Sequence, residues 1–248
     1  MNVADYIAKG AKKGKMHFSL IDPDPLKVNP ETIGELCSQL ERWGSSAIMV
    51  GGSTNVRQKF LDDLVMGIKK GCSLPVILFP GGVNGITRHA DAIFFMSLMN
   101  SRDPFWITGV QAEGAVAVRE SGLQPLSMSY IIIEPGMKAG EVGNADPIPR
   151  TQGVRAAEYA LAAQYLGMSV VYLEAGSGAD KPVPAEMISK VKKNISIPLI
   201  VGGGIRTPAA AGAALSAGAD IIVTGTLIED DAQKVKGIID IAKRFGKR

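Results

Sequence analysis

Short apolar runs recur along the chain at 16–21, 47–50, 76–79, 92–96, 128–133, 169–173, 198–201 and 221–223, each bounded by turn residues. They are rich in Ile, Val and Leu and alternate little with polar residues. Continuous apolar runs of this kind suit parallel strands covered on both faces. Between most of them the apolar positions return at helical spacing. Ile33, Leu36, Cys37 and Leu40 follow the cap signal Asn29-Pro30-Glu31 and stop at Gly44. Phe60, Leu64 and Ile68 mark a helix that ends at Gly71. Similar spacing predicts helices over 104–120, 151–166, 184–193, 207–218 and 231–245.

Repeated strand–helix units without linker composition predict one α/β domain spanning 1–248. Eight units at this length fit a (β/α)8 TIM barrel, a fold of ~250 residues. One unit is defective. Between Phe79 and Ala92 only 80–91 is available, and it carries Gly81, Gly82, Asn84 and Gly85. A loop or short turn is therefore expected in place of the third barrel helix. A doubly wound open sheet is the alternative, but no GxGxxG follows the first strand.

Composition narrows the function. Hydrophobic residues at 46% and charged residues at 21% exclude disorder and collagen. The 29 glycines exceed the usual ~7% share and call for a local reason. Cys37 and Cys72 are the two cysteines and form no CxxC, which argues against a disulfide framework or a cysteine zinc site and for a reducing cytoplasm. His17 and His89 are too few for a histidine metal cluster. The net charge is +3, and basic residues gather near the two ends of the chain, where they read as solvated charge rather than a nucleic-acid surface. No apolar run approaches ~20 residues, so no membrane span is expected.

In a barrel the C-terminal ends of the strands carry the chemistry. The last two strands end in Gly202-Gly203-Gly204-Ile205-Arg206-Thr207 and Thr224-Gly225-Thr226. Glycine lets backbone N–H groups converge on an oxyanion, and barrels often hold phosphate at these two loops. Tight turns are the plain alternative. The sixth strand ends in Tyr172-Leu173-Glu174-Ala175-Gly176-Ser177-Gly178. Tyr172 and Glu174 are two apart and share one face of the strand. Glu174 can take a proton from a substrate hydroxyl, or it can serve as a structural partner of a cation. Asp22, after the first strand, and Ser53, after the second, offer hard oxygen ligands such as Mg²⁺ accepts when phosphates complete its shell.

Together with Leu20-Ile21-Asp22-Pro23-Asp24 and Gly51-Gly52-Ser53-Thr54, these motifs make the chain resemble the geranylgeranylglyceryl phosphate synthase family. Segments 95–106 and 131–150 share the likeness, which covers nearly the whole chain. The resemblance implies a barrel without its third helix and a Mg²⁺-dependent prenyltransferase. Its substrates would be sn-glycerol 1-phosphate and geranylgeranyl diphosphate, joined by an ether bond. It implies Asp22 and Ser53 as metal ligands, and Tyr172, Leu173, Glu174, Ala175, Gly176, Ser177, Gly178, Gly203, Gly204, Gly225 and Thr226 around the glycerol phosphate. In the resulting chemistry Glu174 accepts the hydroxyl proton and Tyr172 positions the acceptor. Among the apolar residues of 94–106, Trp106 is the foremost candidate for the prenyl groove. One branch of the family has Lys where this chain has Leu20, so the chain looks like the other branch. A homo-oligomer is implied, either a dimer or an assembly of dimers. A phosphate-binding isomerase of amino-acid biosynthesis stays open as the second reading, as does a synthase for another chain length.

Overall fold

A computed structural model describes residues 2–51 and 56–245. Its strands are β1 Met16–Ile21, β2 Ala47–Gly51, β3 Val76–Phe79, β4 Ala92–Leu98, β5 Gln124–Ile132, β6 Val170–Glu174, β7 Leu199–Gly202 and β8 Ile221–Thr224. Each pairs in parallel with the next, and β8 returns to β1 with Phe18 opposite Val223 and Ser19 opposite Thr224. This is the closed barrel that the apolar runs predict. Alternate strand positions fill its interior: Phe18, Met49, Ile77, Phe94, Met128, Tyr172, Ile200 and Val223 form one buried cluster. The intervening positions, such as Ile48, Val50, Val171 and Val201, pack outward under the helices.

The helices are α1 Val3–Lys13, α2 Ile33–Trp43, α3 Gln58–Gly71, α4 Val110–Ser121, α5 Met137–Val142, α6 Gly153–Tyr165, α7 Ala185–Asn194, α8 Pro208–Ser216 and α9 Thr226–Phe245. The spacing of apolar residues does not announce α1 or α5. α1 buries only Val3 and Ile7, which join the interior cluster, while its lysines face outward. α5 is six residues long and apolar in no regular period. The helix expected at 29–44 starts later, because the Asn29 side chain accepts from Glu31 N–H and makes a turn instead. The helix expected from 231 starts at Thr226, with a break at Asp231, whose φ is −162°. The helix expected from 104 opens as a π turn at Phe105–Gly109 before α4.

Between β3 and β4 the chain makes only a 3₁₀ turn at Val83–Gly85. Glycine costs about 1 kcal/mol per helical position relative to alanine, so Gly81, Gly82 and Gly85 cannot sustain a helix in so short a segment. Ile93 is buried all the same, but Phe95 is only partly covered, and a trough runs beside α4. At the opposite end of the barrel two carboxylates tie the structure together. Asp220 takes Lys192 at 2.6 Å, Lys15 at 3.2 Å and Leu199 N–H at 2.9 Å. Asp91 takes Lys69 at 2.7 Å and Val76 N–H at 2.7 Å.

Candidate active site

One cavity of about 630 Å³ begins at the C-terminal mouth of the barrel and continues into the trough left by the missing helix. At the mouth it is lined by Asp22, Glu174, Ser177, Gly178, Gly225 and Thr226. Farther out its walls are Phe95, Met96, Trp106, Val110, Gly114 and Val118. Polar chemistry thus sits at one end and an apolar channel at the other, in a single space.

Glu174 ends β6 and is buried. Its Oε1 accepts the Gly176 N–H at 2.6 Å, and the hydroxyls of Tyr130 and Tyr172 donate to the same carboxylate. Burial pushes its pKa up to about 6, against the pull of these three donors. Tyr172 is fully buried beneath the mouth and does not line the cavity. Its ring stacks on Phe79 at 5.7 Å and meets Tyr130 edge-on at 5.3 Å. Tyr130, on β5, does line the cavity. Sequence reasoning passed over Tyr130. Its place beside Tyr172 on the neighbouring strand is set by inter-strand register, which the sequence alone does not reveal.

The glycine loops divide by what their backbones already do. Leu173 and Ala175 send their side chains into the outer core, and Ala175 spends its N–H on Gly202 O and its C=O on Gly136 N–H. Gly176 spends its N–H on Glu174. These three residues shape the loop without offering those donors to a ligand. Ser177 Oγ lies 2.9 Å from Thr226 Oγ1, which draws the loops after β6 and β8 together. Gly203 and Gly204 have φ of +79° and +70°, the left-handed region that glycine tolerates. A Cβ on Gly203 would meet the Glu174 carboxylate, so glycine is also required for closeness. The N-terminus of α9 begins directly at Thr226, and α8 begins after Thr207, whose hydroxyl accepts from Ala210 N–H at 3.1 Å. Two helix N-termini beside glycine loops favour an anion.

Asp22 lines the cavity across from this cup, with Lys27 Nζ at 3.0 Å from its carboxylate. Ser53 lies outside the described residues. Among the described residues no group of three or more His, Cys, Asp or Glu side chains gathers to hold a metal. A single carboxylate facing an open cavity fits Mg²⁺, which keeps water and phosphate oxygens as most of its ligands, and does not fit a closed zinc site. His17 is buried in a hydrogen-bonded pair with Thr224, 2.9 Å away, and burial pushes its pKa down to about 3. Lys27 and Lys138 line the same cavity and are the cationic side chains the sequence did not single out. Trp106 stands in the trough wall with Phe94, Phe95, Met96 and Leu98, whereas Met99 and Phe105 are not part of that lining.

With this geometry, comparison with known proteins is decisive. The model of the PcrB family matches residues 10–242. The chain belongs to the PcrB family. Within it, geranylgeranylglyceryl phosphate synthase from Thermococcus gammatolerans is 60% identical over 227 residues, 92% of this chain and 89% of that protein. The synthase of the same name from Pyrococcus horikoshii is 55% identical over 243 residues, 98% of this chain and 93% of that one. A crystal structure of (S)-3-O-geranylgeranylglyceryl phosphate synthase from Thermoplasma acidophilum, in complex with its substrate sn-glycerol-1-phosphate, superposes with a TM-score of 0.94 at 40% identity, over 98% of this chain and 99% of that chain. The PcrB barrel of this chain thus shares its near-complete length with these synthases. No helix among the described residues is long and apolar enough to cross a membrane.

Proposed function

We infer that this PcrB-family protein is a geranylgeranylglyceryl phosphate synthase, joining sn-glycerol 1-phosphate to geranylgeranyl diphosphate through an ether bond and releasing diphosphate. The observation that carries this is the union, in one cavity, of an anion cup with a long apolar trough. An isomerase acting on a small phosphorylated sugar needs the cup but has no use for the trough. The identity to named synthases across most of the chain supports the same choice.

The glycerol phosphate sits with its phosphate toward Ser177, Gly178, Gly203, Gly204, Gly225 and Thr226. This leaves its C3 hydroxyl near Glu174. The prenyl tail lies in the trough past Trp106. Its allylic carbon meets the acceptor at the mouth, with the diphosphate toward Asp22, Lys27 and Lys138. The C1–O bond to diphosphate breaks, the C3 oxygen bonds to C1, and the hydroxyl proton passes to Glu174. Glu174 suits that role because a pKa near 6 leaves it charged at neutral pH yet basic enough to hold the proton. Tyr172 does not touch the cavity, so it acts through Glu174 as a positioning residue. Asp22 and Ser53 would hold Mg²⁺, which supplies positive charge against the leaving diphosphate. The enzyme works as a homo-oligomer in the cytoplasm.

The test is direct. Purified protein is incubated with sn-glycerol 1-phosphate, Mg²⁺ and prenyl diphosphates of several lengths, with and without a chelator. The ether product should form best with the twenty-carbon donor and vanish with the chelator. No product with any donor refutes the synthase reading, and a better donor of another length reassigns the chain-length preference.

A further inference from the structure

Gln111 is a polar side chain in the apolar wall of the trough, on the first turn of α4. Its Nε2 donates to two carbonyls, Met96 O on β4 and Trp106 O at 3.2 Å. Two carbonyl acceptors fix the orientation of the amide, because only its NH₂ end can donate. Oε1 is then buried with no hydrogen-bond partner among the described residues. An unpaired buried amide oxygen is destabilising, and an apolar side chain of similar volume would avoid it. Packing alone therefore gives no reason for glutamine here.

The two carbonyls belong to the trough itself. Met96 and Trp106 both line it. Trp106 lies on the π turn, where Val110 N–H reaches back to Phe105 O rather than to the α-helical partner. Carbonyls in such a turn fall off the regular helical ladder, and Gln111 supplies a donor to one of them. Ser97 Oγ supplies another, to Ile107 O at 2.8 Å. One side of Trp106 packs on the interior cluster, and its aromatic contact is Phe105 at 5.2 Å, itself partly exposed. The turn that carries the indole is thus anchored to β4 by side-chain hydrogen bonds. We propose that Gln111 is a positioning residue that clamps Trp106 to β4 and thereby sets which prenyl chain lengths the trough accepts. The inference rests on the synthase reading above.

The test compares Gln111→Leu and Gln111→Met, which keep the volume and remove both donors, with the parent enzyme. Specificity is read as the ratio of kcat/KM for a twenty-five-carbon donor to that for the twenty-carbon donor. Release of Trp106 should raise this ratio about tenfold, while the KM for glycerol phosphate stays within twofold. In a Trp43→Phe background Trp106 is the remaining tryptophan. Its emission should shift to the red and become easier to quench in the Gln111 variants. A double-mutant cycle then decides whether Gln111 acts through the indole. In a Trp106→Ala background, Gln111→Leu should leave the ratio unchanged. A parent enzyme that makes ether lipid while both folded Gln111 variants keep its donor ratio overturns the clamp alone. A shift of equal size in the Trp106→Ala background also overturns it. A parent enzyme inactive with every donor overturns the synthase reading and this inference with it. Should Gln111→Leu fail to fold, the donor ratio of Gln111→Met and the emission of Trp106 decide the same question.

Discussion

Tyr130 on β5 donates its hydroxyl to the carboxylate of Glu174 on β6, at the point where the cavity meets the barrel mouth. This hydrogen bond opposes the burial that raises the Glu174 pKa. Tyr130→Phe keeps the ring that packs edge-on against Phe79 at 5.5 Å and removes the donor. The acid limb of the kcat–pH profile should then move to higher pH. Turnover at pH 7 should fall about tenfold, the scale of one lost hydrogen bond to a charged group. A profile that stays in place would show that Tyr130 does not tune the base.

Glu174→Gln should lower kcat by about 10²–10⁴-fold, the usual contribution of a general base, while glycerol-phosphate affinity changes little. The parent enzyme should lose activity as pH falls through about 6, where Glu174 becomes protonated. Stability should move the other way. The folded-state pKa of about 6 lies above the ordinary 4.5, so the buried charge costs stability as pH rises through 6. The Gln variant should therefore be more stable at pH 8 by at most about 2 kcal/mol, with no difference below pH 4.5. Denaturant melts at the two pH values measure this.

A Cβ placed on Gly114 meets only Val83 Cγ1 within 4 Å, at 3.6 Å, so a side chain there can start into the trough. Gly114→Leu should fold, with a gain in helix propensity. The added isobutyl group should fill the channel. The expected result is a drop of about a hundredfold in kcat/KM for the twenty-carbon donor, a much smaller drop for a ten-carbon donor, and an unchanged KM for glycerol phosphate. Equal losses for both donors would place the tail elsewhere.

Gly203 and Gly178 make a controlled pair. Both have positive φ, at +79° and +80°. A Cβ on Gly203 runs into Glu174 and lies 2.7 Å from Gly176 N, whereas a Cβ on Gly178 meets nothing within 4 Å. Gly203→Ala should lose about 1–3 kcal/mol of stability and most of its affinity for glycerol phosphate. Gly178→Ala should suffer only the milder backbone strain. Calorimetric titration with glycerol phosphate distinguishes the two, and similar losses would remove the steric argument at Gly203.

Much of this architecture is legible in the sequence because a parallel barrel writes itself as apolar runs separated by helical spacing. The absent third helix is legible too, since Gly81, Gly82 and Gly85 leave no other outcome. α1 escapes notice because it buries just Val3 and Ile7 and presents its lysines as a charge cluster. At the site, strand alternation puts Tyr172 and Glu174 on one face, yet it cannot say that Tyr172 lies a layer too deep to touch the cavity. Tyr130 and Gln111 sit beyond its reach for a related reason. Their partners, Glu174 and the carbonyls of Met96 and Trp106, are set by inter-strand register and by a π turn, neither of which has a local signature.

The trough beside β4 has a thermodynamic meaning as well as a chemical one. The chain places only a 3₁₀ turn before β4, and Phe95 on that strand stays partly exposed in the cavity wall. In the proposed synthase a prenyl tail lying there stands in for the absent helix and covers Phe95 while it is being consumed. On that reading each round of catalysis alternates between a covered trough and an open one, and the heat resistance of the protein should climb with the length of the tail it holds.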